Sequence, residues 1–213
     1  MSISLLSNNH LYTITDCAHL PWDTLYNRIA QALAGGCTIV QYRDKSRDQS
    51  RRLSEARQLL ALCQQSNAKL IINDDIELAR AVSADGVHLG QGDTSITHAR
   101  QRLGEKAIIG ITCHAELALA EHALNQGADY IAFGRFFPSR TKPEAPPAPQ
   151  QLLRDARQRW PNICIVAIGG VTAHNAEQLI QSGANYVAIC HEICHHIDPK
   201  AYANAFKCAQ ADL

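Results

Sequence analysis

The chain has 213 residues, with 20 Lys+Arg against 20 Asp+Glu and 46% hydrophobic residues. That length buries a sizeable core without staples or metals, and a formal net charge of zero argues against a protein that coats nucleic acid. No apolar run reaches the roughly 18–20 residues that cross a bilayer, and MSISLLSNNH lacks the basic stretch and apolar core of an export signal. Eight cysteines (Cys17, Cys37, Cys63, Cys113, Cys164, Cys190, Cys194 and Cys208) form no C-x-x-C pair. Free or buried thiols in a reducing cytoplasm are the expectation, not a disulfide framework.

In chain order, strand-like runs are LYTIT (11–15), CTIVQY (37–42), KLIIN (69–73), DGVHL (85–89), KAIIGI (106–111), DYIAF (129–133), ICIVAI (163–168) and NYVAI (185–189). They are short, rich in Ile and Val, and lack clean polar alternation, as expected of parallel strands covered on both faces. Helical spacing fills the intervals, for example Trp22 to Leu33, Gln49 to Cys63, Glu116 to Asn125 and Ala173 to Ile180. SADGVHLG (83–90), GADYIAFG (127–134) and GANYVAIC (183–190) repeat one joint, in which a helix ends, the chain turns tightly and a buried strand begins. Eight strand–helix units in one domain over 1–213 predict an α/β fold, a single (β/α)8 TIM barrel. An open doubly wound sheet is the alternative, but no G-x-G-x-x-G follows the first strand.

Barrel enzymes work at the C-terminal ends of their strands. Gln41, Arg43 and Lys45 follow strand two, and Asn73 and Asp74 close strand three. Gln91 and Asp93 follow strand four, and Thr112 and His114 follow strand five. The proline-rich stretch 134–149 after strand six brings Ser139, Arg140, Thr141 and Lys142, and a long loop in a compact domain is usually functional. Gly169 and Gly170 end strand seven, and Cys190 and His191 end strand eight.

Arg43, Lys45 and Lys142 place three cations about one space, which suits a diphosphate or two phosphates. Asp74 and Asp93, on adjacent strands, suit Mg²⁺ shared with phosphate oxygens. The glycine pair lets backbone N–H groups approach an anion. Read singly, Arg43 and Lys45 suit a solvated rim, Asp74 or Asp75 a helix cap, and the glycines a strand-end turn. Their coincidence on one face is what points to Mg²⁺-dependent chemistry on a diphosphate substrate, with a second phosphate site opposite.

LYTITD (11–16), VQYRDK (40–45), LIINDD (70–75), GVHLGQGD (86–93), IGITCH (109–114), FPSRTK (137–142) and AIGGVTAHN (167–175), in this order, resemble thiamine-phosphate synthases and the related thiazole tautomerases. The resemblance implies the same barrel and two small-molecule substrates, an aminopyrimidine diphosphate and a thiazole phosphate. It implies that Gln41, Arg43, Lys45 and Asn73 hold the diphosphate substrate, with Thr112 as the pyrimidine-side hydroxyl. Asp74 and Asp93 would hold Mg²⁺, and Ser139, Arg140, Thr141 and Lys142 correspond to the family's T-x-T-K loop, with both hydroxyls and the lysine retained. Gly170 matches a contact to the thiazole phosphate, while Cys190 and His191 stand where the family usually ends in Ser. The implied reaction is a dissociative displacement in which Arg43, Lys45 and Lys142 stabilise the leaving pyrophosphate.

Three other readings compete. HEICH (191–195) matches the H-E-x-x-H zinc pattern. A thiazole tautomerase would use His114 as its acid–base group, although that histidine could equally cap the following helix. A non-catalytic binder of thiamine precursors would keep the pockets without turnover.

Overall fold

The computed structural model describes residues 9–15, 20–139, 144 and 146–207. The Ile/Val-rich runs form β1 (Leu11–Ile14), β2 (Ile39–Tyr42), β3 (Lys69–Asn73), β4 (Gly86–Leu89), β5 (Ile108–Thr112), β6 (Tyr130–Phe133), β7 (Cys164–Ile168) and β8 (Tyr186–Ile189). Each pairs in parallel with the next, and β8 returns to β1 through Leu11↔Val187 and Tyr12↔Ala188, so the sheet closes into the expected barrel. The helices are α1 (Trp22–Ala34), α2 (Gln49–Gln65), α3 (Ile76–Val82), α4 (Ile96–Leu103), α5 (Leu117–Asn125), α6 (Gln151–Arg159) and α7 (Ala176–Gln181). After β8 the helical layer is broken into α8 (His191–His195) and α9 (Pro199–Asn204). Asp198 caps α9 and Pro199 opens it, where a missing N–H costs nothing.

Side chains pointing inward, among them Tyr12, Ile39, Ile71, Tyr130, Val166 and Tyr186, fill the barrel. Those pointing outward, such as Val40, Leu70, Ile109, Ile131 and Ile165, pack under the helices. Both faces of every strand are thus buried, which is why the runs read as continuous rather than alternating.

The repeated joint has a physical basis. Asp85, Asp129 and Asn185 each accept a hydrogen bond from the backbone N–H of a residue in the preceding odd-numbered strand: Leu70 at 2.9 Å, Ile109 at 2.8 Å and Ile165 at 2.8 Å. Each is also held by a cation, Lys69 on Asp85, Arg100 on Asp129 and Arg157 on Asn185. The short polar side chain therefore closes the N-terminal end of the barrel three times over. Asp129→Ala should lower stability by about 2 kcal/mol, since it leaves a mostly buried guanidinium and a strand N–H without their acceptor; a shifted urea midpoint with an unchanged slope is the expected result.

Element boundaries move where turns claim the backbone. β2 starts at Ile39 rather than Cys37 because the Cys37 N–H bonds to Ala32 O at 3.1 Å, behind Gly36 at φ 101°. α7 starts at Ala176 rather than Ala173 because Thr172 to Asn175 form a turn, with Asn175 Oδ1 accepting from Thr172 N at 2.8 Å.

Candidate active site

A cavity of about 350 Å³ opens at the C-terminal mouth of the barrel. Ile14, Ile168, Ala188 and Ile189 give it apolar surface, and Arg43, Thr112, His114, Ser139, Gly169, Gly170, Cys190 and His191 bring the polar groups. A second depression of about 280 Å³ holds Lys45, Asn73 and Asp74. The cations expected about one space are thus divided. Arg43 faces the large cavity and Lys45, two residues on, the smaller one, while Arg140, Thr141 and Lys142 lie outside the described residues.

The capping ambiguity at the end of β3 resolves cleanly. Asp75 is the N-cap of α3, accepting from Leu78 N at 2.9 Å, and pairs with Arg52. Asp74 takes no capping bond. Its backbone sits in the left-handed region at φ 61°, its N–H bonds to His88 O at 2.8 Å, and its carboxylate meets the Lys45 ammonium. Left-handed backbone at a residue other than glycine is uncommon and recurs at functional sites.

Asp93, after β4, accepts the Gly90 N–H at 2.7 Å through Oδ2. Its other oxygen carries no hydrogen bond among the described residues. Asp74 and Asp93 are hard oxygen donors at adjacent strand ends, and the ammonium on Asp74 stands where a cation is favoured. This donor set fits Mg²⁺, which characteristically takes one or two carboxylates and leaves its other positions to phosphate oxygens and water.

The glycine turn after β7 is built by its surroundings. Gly169 and Gly170 adopt φ of 101° and 63°. The loop after β6 lies across them, with Phe137 N donating to Gly169 O at 3.0 Å. A Cβ on Gly170 would lie 2.3 Å from Pro138 O, so only glycine lets the loop bring Ser139 to the cavity. Asn175 Nδ2 bonds to Gly170 O at 3.1 Å and holds the turn from the far side. That role was visible in the sequence only as part of AIGGVTAHN.

One expected contact falls elsewhere. Gln41 lines neither cavity; it is buried inside the barrel and donates to Tyr12 Oη at 2.8 Å. Thr112 does reach the large cavity, and behind it lies a buried polar chain that the sequence reading did not anticipate. His88 Nε2 meets Thr112 Oγ1 at 2.9 Å, His88 Nδ1 meets Tyr130 Oη at 2.8 Å, and Tyr130 Oη meets Tyr12 Oη at 2.9 Å. Nothing in the spacing of three residues on three strands announces such a chain before the barrel closes.

The competing sites fare poorly. HEICH occupies the five-residue α8, where His191 and His195 face each other at 4.2 Å between ring centroids, and Cys194 is buried. Among the described residues no group of three or more His, Cys, Asp and Glu is arranged to hold a metal ion. His114, at φ 49°, lines the cavity and is not the cap of α5, which Glu116 precedes without a side-chain bond. The six described cysteines are free, and burial pushes the thiols of Cys63, Cys113 and Cys164 up to about 12, so these three stay protonated. Among the described residues no helix is long and apolar enough to cross a membrane.

The family model for thiamine monophosphate synthase matches residues 11–193. The chain is 54% identical over 188 residues to the thiamine-phosphate synthase of Saccharophagus degradans, an alignment covering 87% of this chain and 86% of that one. With the thiamine-phosphate synthase of Marinobacter nauticus it shares 55% identity over 179 residues, 84% of this chain and 80% of the other. In structure it superposes on thiamine phosphate pyrophosphorylase from Pyrococcus furiosus with a TM-score of 0.84 and 28% identity, over 94% of both chains. The chain belongs to the thiamine monophosphate synthase family.

Proposed function

We propose that this barrel is a cytoplasmic, Mg²⁺-dependent transferase that joins 4-amino-2-methyl-5-(diphosphomethyl)pyrimidine to thiazole phosphate and releases pyrophosphate. The observation that carries the reading is the division of the mouth. Lys45, Asn73 and Asp74 form one polar depression, and Arg43, two residues from Lys45, leads into a larger cavity that ends on the Gly169–Gly170 turn. Two phosphorylated substrates require two such anion-binding ends, with apolar surface between them for the rings.

The chain's own groups account for the chemistry. Arg43 and Lys45 hold the diphosphate, with Lys142 as the third cation that the resemblance implies. Asp74 and Asp93 would hold Mg²⁺, which when bound neutralises charge on the leaving pyrophosphate. The C–O bond to the diphosphate breaks first, leaving a pyrimidine methyl cation, and the thiazole nitrogen lone pair then forms the new C–N bond. Thr112 orients the pyrimidine, Gln41 supports that end from inside the barrel through Tyr12, and Ser139, Thr141, Gly170, Cys190 and His191 seat the thiazole phosphate. No proton has to be removed, so positioning and electrostatics suffice and no general base is needed.

A tautomerase acting through His114, or a non-catalytic binder, is not favoured. A tautomerase does not need the lysine, asparagine and aspartate that line the smaller depression, and the curated relatives at 50–55% identity are named thiamine-phosphate synthases. Metal removal tests the proposal. Pyrophosphate release should fall to background in protein stripped with EDTA and dialysed, and return when Mg²⁺ is added. Undiminished release from metal-free protein would overturn the metal assignment.

A further inference from the structure

The polar chain through the barrel interior runs Gln41–Tyr12–Tyr130–His88–Thr112, and every link lies between 2.8 and 2.9 Å. Tyr12 and Tyr130 are 2% and 0% exposed, so each phenolic proton needs an acceptor within the protein. Burial also holds both phenols well above their ordinary titration range, which keeps each one a donor.

The direction of the chain follows from counting protons. Tyr12 Oη already accepts from Gln41 Nε2, and its described partners are Gln41 and Tyr130 alone. Its own proton therefore goes to Tyr130 Oη. Tyr130, having accepted, gives its proton to His88 Nδ1. That makes Nδ1 an acceptor and places the imidazole proton on Nε2, which donates to Thr112 Oγ1. The opposite tautomer, or an imidazolium, would have Nδ1–H donate to Tyr130. Tyr130 would then have to donate to Tyr12 and strand the Tyr12 proton in the core, a cost of about 1–3 kcal/mol.

We propose that His88 is a positioning residue, fixed as the Nε2–H tautomer by the Gln41–Tyr12–Tyr130 chain, which obliges the Thr112 hydroxyl to donate its proton into the cavity. Thr112 is also held through its carbonyl, which accepts from Gln91 Nε2 at 2.6 Å. With Oγ1 receiving the His88 proton and the backbone anchored, the hydroxyl proton is directed to a substrate acceptor, as a ring nitrogen of the pyrimidine offers. The inference rests on the proposed function for the identity of that substrate. It goes further in making the side of the molecule remote from the phosphates a one-directional hydrogen-bond relay that selects an acceptor and rejects a donor.

Two readouts decide it. Long-range ¹H–¹⁵N spectra of histidine-labelled protein at neutral pH should show His88 protonated on Nε2 and bare on Nδ1. Tyr130→Phe, which removes the proton donor to Nδ1, should convert that pattern to a mixture of tautomers. Kinetically, His88→Leu should raise KM for the aminopyrimidine diphosphate about tenfold with KM for thiazole phosphate unchanged. His88→Gln, whose amide can still donate to Thr112, should recover most of the loss. An Nδ1-protonated or doubly protonated His88 in the unmodified protein, or equal changes in both KM values, would overturn the proposal. Should His88→Leu fail to fold, the spectra and the His88→Gln kinetics still decide. If the unmodified protein forms no thiamine phosphate, the functional reading falls, while the spectra continue to judge the tautomer on their own.

Discussion

Asp74→Ala should reduce thiamine phosphate formation by about 10²–10³-fold, the usual loss when one preorganised electrostatic contact to a developing charge is removed. Its fold should persist, because Asp74 contributes no cap to α3 and its side-chain partner is the exposed Lys45. The neighbouring residue supplies the contrast. Asp75→Ala removes the N-cap bond to Leu78 N and the ion pair with Arg52, and should cost about 1 kcal/mol of stability while leaving turnover within a few-fold. Two adjacent aspartates therefore separate function from folding. Steady-state rates and thermal midpoints for both variants check the pair, and a stability loss in Asp74→Ala equal to that in Asp75→Ala would refute the division of roles.

Gly110→Ala should be the most damaging small substitution in the barrel. Gly110 lies in β5 opposite Tyr130 of β6, and a Cβ there would sit 1.8 Å from the ring carbon Cζ of Tyr130. The ring cannot retreat easily, since it is fully buried, stacked on His88 at 5.5 Å and bonded to both Tyr12 and His88. Overpacking of this kind costs about 3 kcal/mol, the upper end of the usual range. Protein that survives should also bind the aminopyrimidine diphosphate poorly, because a displaced Tyr130 releases His88 and with it Thr112. Denaturant unfolding and KM for that substrate are the measurements; an unchanged midpoint would show that the interior is looser than its packing implies.

Much of this architecture was legible in the residues. The eight strands, their order and the closed barrel follow from short apolar runs separated by helical spacing, and the Asp85–Asp129–Asn185 joint marks three of the turns. Strand starts were less legible because a helix-ending turn such as Leu33–Cys37 reads as part of the apolar run that follows it. At the mouth, the polar residues after each strand could be gathered by topology alone. What each side chain does there could not. Asp74 and Asp75 have the same chemistry one residue apart, and only the left-handed backbone at Asp74 separates cap from open carboxylate. Gln41 reads on sequence as a substrate contact at the end of strand two, yet the inward pleat of β2 buries it against Tyr12. The Tyr12–Tyr130–His88 chain joins residues 42 to 118 positions apart and exists only once the barrel is closed.

The central claim is that this barrel mouth couples two phosphorylated rings. It is tested most directly by incubating the purified protein with 4-amino-2-methyl-5-(diphosphomethyl)pyrimidine, thiazole phosphate and Mg²⁺, then oxidising the mixture and reading thiochrome fluorescence. Fluorescence that requires both substrates, and that is lost in Asp74→Ala, is the predicted result. Folded protein that binds either substrate yet yields no thiochrome would contradict the account.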